Sequence, residues 1–332
     1  MADLRRFAPG LVVAIALVLV AGTFGSAYEL TVLTQAGIYG IATLGLTILV
    51  GYAGQISFGH TLFLGLGGYL SALATTRWGI GPLPGMGLGI VASVIAALLV
   101  GIPTLRLRGH YLAMATFAIG LGFYAVAADT SLFNGFEGIS GIPPFSVPGM
   151  EFSGVISQFT LVWVVALAAA LAAYRLRGRR FGRALRVVAE DEAAASALGI
   201  DVARHKVVAL IISGVLVSIA GSLQVHTTPI ASPENYGFSV IIQLFVMVFI
   251  GGLGSVWGAL LGAIAVVELP ELLGGFQDYE PTVFGVVLLL ILLLRPVGLL
   301  APLSPSAKRT LRRRLHLDRS KPATAPVEAV RS

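Results

Sequence analysis

The chain contains no cysteine, and of its 332 residues only 22 are Lys or Arg and 16 are Asp or Glu. Without cysteine there is no disulfide framework, no thiolate nucleophile and no Cys-ligated metal. Lysine is scarcer still: there are three, Lys206, Lys308 and Lys321, and none follows a glycine. A phosphate-cradling loop of the form G-x-x-x-x-G-K-[S/T] is therefore absent, so the chain carries no ATP site of that kind. It also has no H-E-x-x-H and no clustered His and Asp at ligand spacing, so neither a metal site nor a membrane-embedded enzyme finds support. Charge is missing in a patterned way, because residues 30–76 form 47 consecutive positions without Asp, Glu, Lys or Arg.

What fills the chain is apolar. Hydrophobic residues make up 56% and charged residues 11%, whereas soluble domains carry about 25% charged residues. Apolar runs fall near 9–25, 30–49, 60–76, 85–104, 111–128, 155–174, 207–224, 238–252, 255–269 and 281–295. Runs near 20 residues match the length an α-helix needs to cross about 30 Å of hydrocarbon. Because the runs are continuous rather than alternating, a β-barrel is excluded. The expected fold is all-α, a polytopic integral membrane protein of about eight to ten transmembrane helices. The start of the chain also resembles a secretory signal, with two arginines before an apolar core, but an uncleaved first helix fits so many spans better.

Threading these runs in order divides the loops between two sides. One side collects Arg5, Arg6, Arg106, Arg108, the eight cations of 175–206, Arg295 and the eight of 308–331; the other holds Arg77 alone. Cytoplasmic loops carry the Lys/Arg excess, so both termini are expected inside. The formal net charge of +6 is thus a topology signal, and no nucleic-acid partner is implied. Nine acids fall on the outer side: Glu29, Asp129, Glu137, Glu151, Glu234, Glu268, Glu271, Asp278 and Glu280. They are explained either by exclusion of Lys and Arg from translocated loops or by a docking face for a soluble partner. Residues 1–300 read as one transmembrane domain with a cytoplasmic loop at 175–206. Residues 301–332 read as a basic, largely disordered cytoplasmic tail, whose basic part from Lys308 to Lys321 is placed to lie against anionic membrane lipid.

Two charge-free stretches are harder to thread. Residues 51–60, GYAGQISFGH, supply Gly51, Gly54, Gln55, Ser57, Gly59 and His60 at the junction of two spans. Either they form a tight turn at the inner surface, or they break a helix at depth, packed against the bundle or a solute pathway. His60 and His110 open predicted helices, as interfacial or packing residues rather than solute contacts. Residues 235–267 give 33 uncharged positions, which suit two short spans or a re-entrant hairpin.

The 175–206 loop is the most distinctive segment. Phe181, Leu185 and Val188 form an apolar stripe at i, i+4, i+7. Glu190, Asp191 and Glu192 lead into Ala193-Ala194-Ala195, a strongly helical run. Gly199 is placed to end that helix, expected over 181–198, and Asp201 to cap the next. Clustered acids fit a knob for a cytoplasmic partner better than a lipid-bound helix.

Glu192-Ala193-Ala194 followed by Gly199 resembles the EAA-type coupling loop of ABC importer permeases. The wider run GRALRVVAEDEAAASALGIDVARHK, with GYAGQISFGHTLFLGLGGYLSAL at 51–73, LRLRGHYLAMAT at 105–116 and MVFIGGLGSVWGALLGA at 247–263, resembles the M-type permease subunit of branched-chain amino acid importers. The likeness covers about residues 30–300. It departs in the outer loop, where the family's T-G-G-x-x-G is replaced here by Asn134, Gly135, Phe136, Glu137 and Gly138.

The resemblance implies a prokaryotic inner-membrane machine of two different permeases, two cytoplasmic ATPase subunits and an extracytoplasmic binding protein. This chain would then bind no cofactor itself, with ATP-Mg held by the partner ATPases. It also implies a coupling role for Phe181, Leu185, Glu190, Glu192, Ala193, Ala194 and Gly199. Similar permeases serve urea and short-amide importers, so the solute stays open. An autonomous secondary carrier fits less well, because no carboxylate falls near the centre of a predicted span.

Overall fold

The computed structural model describes residues 2–107 and 109–272, with single positions at 282, 286 and 289; side chains are described for 10–269 within that range, and at those three positions. Apart from those three positions, the expected span at 281–295 lies outside the described residues, as do the tail 301–332, Arg108, Asp278, Glu280 and the side chains of Arg5, Arg6 and Glu271.

Among the described residues nine long helices carry the apolar runs: α1 (Ala2–Phe24), α2 (Ala27–Leu46), α3 (His60–Thr76), α4 (Pro82–Thr104), α5 (His110–Asp129), α6 (Val155–Gly178), α9 (Val202–Thr227), α10 (Phe238–Gly251) and α11 (Val256–Leu272). Between α6 and α9 lie the short α7 (Arg180–Glu190) and α8 (Glu192–Ala197). Among the described residues five segments are long and apolar enough to span a bilayer: Ala27–Tyr52, Pro82–Thr104, His110–Asp129, Val155–Gly178 and Val202–Thr227. α2 is prolonged to that length by a π-helical turn over Thr47–Tyr52. Its start is set by Ser26 and Glu29, whose side chains each satisfy the other's backbone N–H.

The helices run alternately between two ends of the bundle. One end carries the α6–α9 connection with its arginines. The other carries 130–154 and 228–237, which meet where β1 (Ile139–Ser140) pairs antiparallel with β4 (Ile230–Ala231). A second small hairpin, β2 (Ser146–Val147) with β3 (Met150–Glu151), caps the same end. Arg77, the single cation expected outside, donates to Asn134 Oδ1 at 2.6 Å there.

The centre of the bundle is α2, α3 and α9, with α4, α6 and α11 packed around them. Close approach depends on missing side chains. A Cβ at Gly67 of α3 would collide with the Ser218 backbone of α9, and one at Gly221 of α9 with the Leu64 carbonyl. Lipid tails are as apolar as leucine, so helices in a bilayer gain from such backbone proximity rather than from burying apolar area.

α10 answers the question posed by 235–267. Its 14 residues cover only about 21 Å, too little for the full hydrocarbon. The chain after α9 compensates by dipping inward. The 3₁₀ turn Pro233–Tyr236 buries Tyr236 against Tyr69 and Phe123, and Phe238 meets Phe117 in the first half of α5. Non-helical backbone is tolerated at that depth because protein surrounds it. α10 and α11 then form a tight pair, with Gly251 and Gly258 in backbone contact.

Candidate functional site

The 175–206 connection departs from expectation in one respect. The helix expected over 181–198 breaks at Asp191, whose backbone is extended at φ −159°, ψ 113°. The reason is capping: Asp191 Oδ1 accepts from the N–H groups of Ala193 (2.8 Å) and Ala194 (3.1 Å), making it a better start for α8 than an interior residue of one helix. α8 ends as anticipated. Gly199 has φ +77°, Ile200 N–H donates to Ala195 O and Gly199 N–H to Ser196 O, the paired bonds of a Schellman stop. Asp201 caps α9 through Arg204 N–H at 3.0 Å.

The apolar stripe faces inward. Leu185 and Val188 are buried, and Phe181 packs on the core with its ring stacked on His205. Glu192 is held by Lys206 Nζ at 2.5 Å; the lysine is 3% exposed and the glutamate 27%. α7 and α8 are therefore bolted to the bundle, while Glu190, Ala193, Ala194, Ser196, Ala197, Leu198 and Gly199 remain exposed. Leu198, 72% exposed, is the most prominent apolar group at this tip.

Beneath α7 the two glycine turns meet. Gly51 packs so closely on Gly254 that a Cβ would collide with its backbone N. Gly54 has φ +66°, and its Cβ position lies 3.0 Å from that of Ala189 in α7. Arg177, at the end of α6, donates to Gly254 O at 3.2 Å. The turn after α2, the turn between α10 and α11, and the α6–α7 corner thus form one cluster at the arginine-rich end.

Residues 55–60 lead inward from that cluster. Gln55 is buried and turns back on Ala53 O, while Ser57 and His60 are almost fully enclosed. Ser213 Oγ donates to Gly45 O at 2.7 Å, which commits its proton. His60 Nε2 lies 2.8 Å from that oxygen, and its Nδ1 lies 3.2 Å from the Ser57 carbonyl. The void beside Ser57, Gly59 and Thr116 is about 10 Å³, room for a single water at most. Phe58 stacks on Phe245 of α10 and its N–H donates to Thr116 Oγ1.

At the opposite end Asn134 and Gly135 take left-handed backbone, and a Cβ at Gly138 would collide with Ala231 O. A chain of hydrogen bonds there was not anticipated. Ser222 donates to Ser71, Ser71 to His226 Nε2, and His226 Nδ1–H to the Pro143 carbonyl, at 2.9, 2.9 and 2.7 Å. A backbone carbonyl only accepts, so the order of protons follows from the geometry. A Ser and a His four residues apart in an apolar run is the one sequence sign of it. Among the described residues, no group of three or more His, Asp or Glu is gathered to hold a metal ion.

Over residues 28–295 the chain matches the family described as branched-chain amino acid transport system / permease component. The chain belongs to that family. It is 30% identical, over 83% of its length and 70% of the relative's, to the high-affinity branched-chain amino acid transport system permease protein LivM of Salmonella typhimurium. LivM of Escherichia coli matches equally, at 30% over the same shares. The permease protein LivH of Salmonella typhimurium is 26% identical over 80% of this chain and 92% of its own. No solved structure matches significantly. This permease is thus of the LivM type, an all-α multi-pass membrane protein.

Proposed function

We propose that this permease is one membrane subunit of an ATP-driven importer in a prokaryotic plasma membrane, and that with a second, LivH-like permease it forms the route for branched-chain amino acids. The tip of α7–α8 carries the reading. It is fixed to the bundle by buried apolar side chains and the Glu192–Lys206 pair, yet presents Ala193, Ala194 and Leu198 uncovered. A cytoplasmic ATPase subunit seated there moves α7, which lies on the turn after α2 and through it on the turn between α10 and α11. An extracytoplasmic binding protein delivers the solute to the opposite end. The enclosure of Ser57 and His60 favours a route between two permeases over one through this chain. Carboxylates of the described spans sit at helix ends, as with Asp129 and Asp201, which supports ATP rather than an ion gradient as the energy source.

The test is reconstitution with the second permease, both ATPases and the binding protein. ATP-dependent uptake of labelled leucine is expected, and it needs every component. Uptake by this chain alone without ATP would instead establish a secondary carrier. Uptake of urea or short amides with leucine excluded would assign the same machine to another solute.

A further inference from the structure

Beside the coupling segment, between the end of α4, the start of α9 and α8, lies a cleft of about 950 Å³. It has a charged mouth and an apolar floor. Arg106 and Arg204 stand at the mouth, with the Glu192–Lys206 pair in its wall. Leu98 and Ile102 of α4 and Val207 and Ile211 of α9 line the remainder. Along α9, Arg204 to Ile211 spans seven residues, about 10 Å, and Arg106 follows the end of α4 just beyond Leu98 and Ile102. This is the depth from a headgroup into the acyl region.

We propose that this cleft binds one anionic phospholipid, its phosphate between Arg106 and Arg204 and an acyl chain along Leu98, Ile102 and Ile211. Charge complementarity carries the choice. Lys206 is matched by Glu192, and Asp191 accepts from the start of α8. Arg106 and Arg204 are exposed, and among the described residues neither guanidinium has an ion-pair or hydrogen-bond partner. Two free cations above an aliphatic groove suit a phosphate with a hydrocarbon tail.

The neighbouring surface indicates lipid rather than another helix. α4 continues outward from the cleft through Val91, Ile95, Leu99 and Ile102, all exposed and all bulky aliphatics. The uncovered face of α5 is mixed, with the small Ala118, Gly122 and Ala125 set among Tyr111, Met114 and Val126, whereas helices approach each other in bilayers through small residues. Because α8 forms one wall, the bound lipid also braces the Glu192–Lys206 side of the coupling segment. The proposal requires only that the chain sits in a bilayer and does not depend on the solute or the energy source.

A photoreactive benzophenone side chain at position 102, in the otherwise intact transporter complex, tests this. The complex is placed in phosphatidylcholine nanodiscs with and without phosphatidylglycerol, and adducts are identified by mass spectrometry. Phosphatidylglycerol adducts are expected to exceed phosphatidylcholine adducts at equal mole fraction. That preference should fall roughly fivefold for each arginine removed in Arg106→Gln and Arg204→Gln, and persist in the Arg→Lys variants. Equal labelling of both lipids, adducts on a protein chain, or a preference unchanged in the double Gln variant would overturn the proposal. If the double Gln variant does not fold, the Lys variants and the wild-type lipid preference decide the matter.

Discussion

Lys206 shows how a single residue constrains the coupling segment. A buried ammonium is tolerated because Glu192 is at hydrogen-bond distance, and removing either partner leaves a charge stranded. Glu192→Ala is expected to lower stability by about 2–3 kcal/mol, somewhat below the range for fully enclosed pairs because the glutamate is part-exposed. Glu192→Gln combined with Lys206→Met should recover most of that. Thermal unfolding of both variants in the same detergent checks it; equal stabilities would show that the pair contributes little. Glu192 therefore has a structural task as well as any contact with an ATPase, so a transport defect in Glu192→Arg is informative only alongside this measurement. His226 acts in the same way at the other end. Ser71→Ala removes its donor and is expected to cost about 1–2 kcal/mol, with faster amide exchange confined to residues 139–147. Unchanged exchange in that segment would remove the tether.

Among the elements, α7 is the one whose reading changed most. Its period-3.6 stripe was legible in Phe181, Leu185 and Val188, because helix periodicity is a local property. The partner of that stripe was not, and it proves to be the chain's own bundle. The break at Asp191 was also missed: a carboxylate inside a helical run and a carboxylate capping a new helix look alike until the backbone is seen. Under α7, the Gly51–Gly254 contact and the Gly54–Ala189 contact form a stack, and in the proposed mechanism a displacement of the segment passes through it to the helices on either side of the two turns. Gly51→Val is expected to insert in the membrane and allow ATP hydrolysis by the assembled importer, while uptake per ATP falls by a few-fold to roughly thirtyfold. Parallel ATPase and uptake assays read this directly; proportionate loss of both would mean simple misassembly. Gly199→Pro attacks the same segment at its stop, since φ +77° and a donated N–H are both impossible for proline. Lower coupled uptake with normal insertion is expected there too.

For the whole molecule, the absence of native cysteine makes sidedness directly measurable. Single cysteines at Ser196 and Glu137, both exposed at opposite ends of the bundle, should label with an impermeant maleimide from the cytoplasm and from outside respectively. Labelling of both from one face would refute the alternating topology. A cysteine at Ser57 should resist labelling from either side until the transporter is cycled with ATP, because that position is enclosed.

The sequence by itself determined the membrane class and most helix positions, and gave the expected orientation that labelling would test, since run length, apolar content and the Lys/Arg bias are additive properties read without knowing any contact. It also marked the family, through blocks that keep their order along the chain. Only the tertiary structure decided that residues 228–237 dip into the bundle to shorten α10, that the two glycine turns touch, and that Ser57 and His60 are sealed. Each of these is a meeting of segments from about 60 to about 200 residues apart, and contact at that range depends on how helices pack, which no local pattern records. GYAGQISFGH illustrates both halves. Its composition announced a break in the helical run, but whether that break faced water, lipid or solute was set by α7, α9 and α10 closing around it.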